Sequence, residues 1–190
     1  LAGLCDAVRR HGAQVGFAQD PDADRLAIVD ERGTYIGEEY TLALCAAYVL
    51  SKRPGKVAAN LATSRMIDDV AAAAGVAVVR APTGESNVVD AMQREGCVLG
   101  GEGNGGIIEP RVVPVRDSLV GIAYVLDYMA ATGEPLSELA ARIPHYQMVK
   151  TKLPCDRASA DQIAARTREH FAGREGVRLD DTDGLRVDLP

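Results

Sequence analysis

Apolar residues recur along the chain at two spacings, and the switches between them mark out the elements. Leu4, Ala7 and Val8 fall at helical spacing over residues 4–11, with Gly12 placed to end the helix. Residues 15–19 and 26–30 read as strands either side of a short polar loop. Glu31-Arg32-Gly33-Thr34 forms a turn, and Tyr35-Ile36 resumes an extended chain. Residues 41–51 make a strongly apolar helix that Pro54-Gly55 terminates. An alternation follows: strand 56–60, helix 64–74 with Asp68 and Asp69 toward solvent, strand 76–80, helix 86–95 and strand 97–100. Strands and helices at such short spacing predict a parallel α/β sheet with right-handed crossovers, whose ligands gather at the C-terminal strand ends.

A long apolar helix is expected over 119–131, capped by Asp117 or Ser118, and a further one over 134–142 that Pro144 stops. From Tyr146 the texture changes. Residues 148–153 alternate like a strand and 160–171 read as an amphipathic helix. Residues 177–179 and 185–189 bracket the turn Asp180-Asp181-Thr182-Asp183-Gly184, which reads as a hairpin turn before a metal site.

The loop between the first two strands carries the most chemistry. Asp20-Pro21-Asp22-Ala23-Asp24-Arg25 places three carboxylates at alternating positions, and these repel one another unless a cation sits among them. Crowded hard oxygen donors suit Mg²⁺ or Ca²⁺, and Arg25 is placed to contact a phosphate on the same ion. A solvated turn would use the same Asp and Pro residues without a metal. A calcium EF-hand would use Asp20, Asp22, Asp24 and Glu31, but Arg25 stands where that loop requires glycine, and a strand follows. An aspartyl phosphatase of the haloacid dehalogenase type would use Asp20 and Asp22, yet no lysine is obviously placed for it.

The second candidate is Gly100-Gly101-Glu102-Gly103-Asn104-Gly105-Gly106. Its glycines allow close approach of a ligand, and Glu102 and Asn104 carry the side chains that hydrogen-bond vicinal sugar hydroxyls. A flexible loop with two incidental polar residues is the plain alternative. Neither a Rossmann fingerprint nor a Walker loop is present.

Composition narrows the classes. A net charge of −6 without a basic stripe argues against nucleic acid. Cys5, Cys45, Cys97 and Cys155 are scattered and form no CxxC pair, which suits reduced thiols in a cytoplasm. The longest apolar run, 42–50, is too short to span a bilayer. The chain starts at Leu1 and stops in a strand-like run, so it is expected to be a fragment.

Asp20-Pro21-Asp22-Ala23-Asp24-Arg25 resembles the metal loop Asp-Gly-Asp-Ala-Asp-Arg of the α-D-phosphohexomutases, the superfamily of phosphoglucomutase, phosphomannomutase and phosphoglucosamine mutase. Gly101 to Gly106 is similar to that family's sugar-binding loop in its archaeal-like branch, Gly-Glu-x-Asn-Gly-Gly. Thr83-Gly84-Glu85 sits where the family has a Thr/Val-Gly loop, and Arg116-Asp117 matches the Arg-Asp before that branch's long helix.

The resemblance implies a mixed-sheet α/β domain with helices on both faces, flanked by partial α/β and α+β domains. It divides the chain into the end of domain 2 (1–36), domain 3 (37–145) and the start of domain 4 (146–190). It implies Mg²⁺ on Asp20, Asp22 and Asp24, catalytic Arg25, and substrate contacts from Gly84, Glu85, Glu102 and Asn104. The implied reaction interconverts hexose 1- and 6-phosphates through a phosphoserine and a hexose bisphosphate. The serine loop Thr-Ala-Ser-His-Asn-Pro and the phosphate loop Arg-x-Ser-Gly-Thr-Glu-Pro do not occur in the 190 residues, so the fragment alone is expected to be inactive. Its partners would be the hexose phosphate and missing domains of the same polypeptide, with self-association through unpaired strand edges as a further expectation. Asn104 and Gly106 replace the commoner Ser and His, so that histidine's acid/base role does not carry over, and Glu85 is a candidate to replace it. An Asp-nucleophile phosphatase and a calcium-binding or structural α/β module remain the rival readings.

Overall fold

In the computed structural model, which describes residues 1–190, the chain divides into two units, Leu1–Tyr146 and Gln147–Pro190. The first unit opens with helix α1 (Ala2–His11), which ends where Gly12 turns left-handed at φ 59°. Its buried residue Val8 packs against the hairpin of β1 (Val15–Gln19) and β2 (Leu26–Asp30). These strands pair antiparallel from Val15↔Asp30 to Gln19↔Leu26, so the acidic loop 20–25 closes the hairpin. At the far end, Asp30 Oδ1 accepts the N–H groups of Arg32 (3.1 Å) and Thr34 (2.8 Å) and shapes the following turn.

Helix α2 (Glu39–Lys52) is apolar on nearly every side, which is the pattern of a helix buried all round. It lies against one face of a four-stranded sheet built from β3 (Val57–Asn60), β4 (Val78–Ala81), β5 (Leu99–Glu102) and β6 (Gly106–Ile108). Helices α3 (Met66–Ala73), α5 (Ser118–Thr132) and α6 (Leu136–Ala141) join it in one apolar cluster on that side. On the other face α4 (Glu85–Glu95) packs through Val88, Ala91 and Met92 onto Ala58, Ala81 and Ile108. Close packing here depends on Gly100, where a Cβ would run into Met92.

The strand order is β4-β3-β5-β6. The first three strands are parallel, which brings Asn60 and Glu102 to the same end of the sheet. Strand β6 runs antiparallel to β5, with Glu102 opposite Gly106, so the sheet is mixed and the glycine-rich segment is a tight hairpin. Three residues are too few to show strand periodicity in the sequence, and β6 had no signal there.

The second unit contains α7 (Arg157–Phe171), capped by Asp156 Oδ1 accepting from Ser159 N at 2.8 Å. It also holds the hairpin of β7 (Arg178–Asp180) and β8 (Arg186–Asp188). Asp180 accepts the Thr182 N–H (2.8 Å) and Asp181 pairs with Arg168, so the second acidic run serves a turn and an ion pair.

Two sequence expectations are corrected. Residues 148–153 form no strand: Val149 is 89% exposed and Leu153 79%, and an alternating segment becomes a strand only where a sheet pairs its backbone. Asp68 and Asp69 do not simply face solvent. Asp68 pairs with Arg80 and Asp69 accepts the Tyr146 hydroxyl at 2.5 Å.

Past β6 the Glu109 carboxylate is buried, 1% exposed, and accepts from Arg53, the Tyr124 hydroxyl, and both the backbone N–H and Nε of Arg111 (3.1 Å each). Burial pushes this carboxyl up, but the hydrogen bonds from Tyr124 and Arg111 outweigh it and hold it below its usual value of 4.5. A carboxylate depressed in the folded state stabilises the fold above its unfolded value, and that contribution is lost as pH falls through the folded value. Glu109→Gln is therefore expected to cost about 2 kcal/mol at pH 7. Thermal melts should show the gap between variant and parent narrowing below pH 4.5; a gap independent of pH would contradict the assignment.

Candidate functional site

The acidic loop is held by its neighbours before any ligand is considered. Arg25 N donates to Asp20 Oδ1 (3.0 Å) and Ala23 N to Asp20 O (3.0 Å), which folds the loop back on itself. Ala23 takes a left-handed φ of 59°, uncommon for a residue with a Cβ. Its carbonyl is pinned by buried Ser118 at the start of α5, through Oγ (2.6 Å) and the backbone N–H (3.2 Å). Gln19 Nε2 donates to the same hydroxyl at 2.5 Å. On the other side Leu26 N donates to Gly105 O (3.1 Å). Gly105 has φ +93°, and a Cβ there would approach Leu26 O to 2.6 Å. Only glycine lets the β5–β6 hairpin come this close to the acidic loop.

Oxygens of Asp20, Asp22 and Asp24 all lie within 4.8 Å of one another. Burial would raise both Asp20 and Asp24, and the two carboxyls also share a hydrogen bond. For Asp20 the Arg25 backbone N–H and the hydrogen bond with Asp24 outweigh burial, so its pKa is lowered. For Asp24 burial and the Asp20 contact outweigh the attraction of Arg116, so its pKa is raised. Arg25, half exposed, lies with Nε 3.0 Å from Asp20 and 3.4 Å from Asp24. Three clustered carboxylates are a hard oxygen donor set of the type magnesium or calcium takes. Strand β2 directly follows the loop, which removes the EF-hand reading, since that motif needs a helix there.

Glu102 ends β5 and is 4% exposed. Oε1 accepts from Asn60 Nδ2 (2.7 Å) and Gly84 N (3.3 Å), and Oε2 from Asn104 Nδ2 (3.3 Å) and Arg116 Nη1 (2.5 Å). Thr63 supports this pair: its hydroxyl donates to Asn60 Oδ1 at 2.7 Å and accepts the Gly103 N–H at 2.9 Å. Gly84 and Glu85, at the start of α4, adjoin the same point, since Glu85 Oε2 accepts both the backbone N–H and Nε of Arg116 at 3.0 Å. Asp24, Gly84, Glu85, Glu102 and Asn104 thus converge on one hydrogen-bonded corner, with Asp20 and exposed Asp22 clustered beside Asp24.

Arg116 joins that corner together. Its guanidinium contacts Asp24, Glu85 and Glu102, one residue from each of three chain segments. Burial opposes its charge, but the carboxylates of Glu102, Asp24 and Glu85 outweigh this and raise its pKa further. Sequence reasoning gave Arg116 no role beyond a position before the helix cap. Asn60 and Thr63 were also missed, although a polar residue closing a parallel strand was a readable signal.

Residues 37–146 match the family model described as phosphoglucomutase/phosphomannomutase, alpha/beta/alpha domain III, and residues 1–33 match that of alpha/beta/alpha domain II. The chain belongs to the phosphoglucomutase/phosphomannomutase family. A relative from Methanopyrus kandleri named "Probable phosphoglucosamine mutase" is 38% identical across the whole chain, which spans 42% of that relative's length. A solved phosphoglucomutase/phosphomannomutase family protein from Burkholderia thailandensis superposes with a TM-score of 0.82 at 27% identity, covering 99% of this chain and 40% of that one. The fold is shared as well by an N-acetylphosphoglucosamine mutase of Aspergillus fumigatus solved with GlcNAc-6P and magnesium, at TM-score 0.54 and 17% identity, over 90% of this chain and 44% of that one. No helix is long and apolar enough to cross a membrane.

Because Ser118 fixes the one strained carbonyl of the acidic loop, Ser118→Ala should cost about 1–2 kcal/mol. Amide exchange at residues 22–25 should quicken more than at β3 or β5; uniform exchange across all three would contradict the pinning.

Proposed function

We propose that this chain carries the metal loop and the sugar loop of a phosphohexomutase, an intramolecular phosphotransferase interconverting hexose 1-phosphate and hexose 6-phosphate. The carrying observation is the convergence of two loops, far apart in sequence, through Arg116, Asp24 and Glu102. Family membership supplies the reaction class. The three domain pieces are taken as 1–36, 37–145 and 146–190.

Asp20, Asp22 and Asp24 would hold Mg²⁺, the cation named with the Aspergillus relative. A magnesium ion there supplies charge neutralisation for a phosphoryl group in transfer. Arg25, half exposed at the same loop, would donate to a phosphate oxygen and is the catalytic candidate. Glu102 and Asn104 would meet sugar hydroxyls, Glu102 by exchanging one of the four donors that fill its oxygens, with Gly84 and Glu85 lining the same corner. Hydroxyl pairs of this kind are common to glucose, mannose and glucosamine. The phosphoryl donor is a phosphoserine from another segment of the polypeptide, and the intermediate a hexose bisphosphate.

Isothermal titration of the 190-residue chain with MgCl₂ is expected to show one site that Asp20→Asn weakens at least about tenfold. Equal binding by parent and variant would remove the metal assignment. In a coupled assay with glucose, mannose and glucosamine phosphates the chain alone is expected to give no turnover, and measurable turnover would sink the view that it needs further segments.

A further inference from the structure

Arg116 meets two demands at once that no other side chain of the site meets. Its Nη2 contacts Asp24 Oδ2 in the metal loop, while Nη1 donates to Glu102 Oε2 at 2.5 Å in the sugar loop. Its Nε and its backbone N–H both donate to Glu85 Oε2 at 3.0 Å. The stem is fixed as well, since a Cβ on Gly106 would run into Arg116 Cδ, and Asp117 directly after it caps α5 through Leu119 N (2.8 Å). The guanidinium is thus a rigid fork with its prongs in separate segments, and its side chain is only 18% exposed.

We propose that Arg116 is a positioning residue that couples the metal loop to the sugar loop and holds down the cation affinity of Asp24. A fixed positive charge on Asp24 Oδ2 competes with a divalent ion for that oxygen and repels the ion itself. The same guanidinium neutralises Glu102, so any pull on Arg116 from the sugar side changes its hold on Asp24. Removing one acceptor of the fork shifts the guanidinium toward the acceptors that remain. This inference rests on the metal reading above.

Mn²⁺ binding to the 190-residue chain, followed by electron paramagnetic resonance of the free ion, separates the two ideas. Arg116→Gln is expected to bind Mn²⁺ about tenfold tighter than the parent or more. Arg116→Lys, which keeps the charge but not the fork, should fall between them. Glu102→Gln should weaken Mn²⁺ binding in the parent background and have a much smaller effect beside Arg116→Gln, a non-additivity that a purely structural arginine would not produce. Circular dichroism establishes that each variant is folded, and Arg116→Lys alone decides the sign if Arg116→Gln is not. If Asp22→Asn weakens Mn²⁺ binding while the Arg116 variants bind no tighter than the parent, the coupling is overturned and the metal site stands. If neither the parent nor any Arg116 variant binds Mn²⁺, both are overturned.

Discussion

Like charges crowded into one corner are the constraint that the rest of the first unit serves. Asp20, Asp24, Glu85 and Glu102 face two guanidinium groups, Arg25 and Arg116, and Asp22 lies exposed beside Asp20 and Asp24. Carboxylates at such spacing repel by several kcal/mol in a partly buried setting unless cations or donors are fixed among them. The fold answers with rigid supports. Ser118 pins the acidic loop, Gly105 lets the β5–β6 hairpin reach it, and Asn60 and Thr63 anchor Glu102 from β3 and its loop. Each support comes from an element whose own stability lies elsewhere, in the apolar layers about α2 and α4.

The sheet explains why those supports arrive at one place. Parallel β3, β4 and β5 send their C-terminal ends to a common edge, and the antiparallel return of β6 turns the glycine-rich segment back toward β2. Loops at such an edge are free to carry polar groups because the strands behind them carry the packing. Family membership and the shared fold with solved mutases fit this placement.

Much of this was readable from residue order. The strands 15–19 and 26–30 were bounded as observed, because two short apolar runs give way to the polar turn residues that begin at Asp20 and Glu31. A cap at Asp117 or Ser118 was legible from their place before an apolar run, and Asp117 is the one that caps. Gly84, Glu85, Glu102 and Asn104 were named in advance, but not their mutual contacts, which depend on how α4 and β5 are brought together. Arg116 was hidden for the same reason: nothing local distinguishes an arginine before a helix cap from one that bridges three segments. Residues 148–153 failed in the opposite direction, since a strand-like pattern carries no information on whether a pairing strand is present.

The proposed metal site on the acidic trio lies next to Glu102 of the β5–β6 hairpin, joined to it through Arg116. Anomalous diffraction from crystals of the chain grown with MnCl₂ tests it most directly. The account requires a manganese peak bonded to oxygens of Asp20, Asp22 and Asp24, with Glu102 still joined to Arg116. Crystals with no peak at that loop, or with manganese bound elsewhere and those carboxylates engaged only by Arg25 and Arg116, would contradict it.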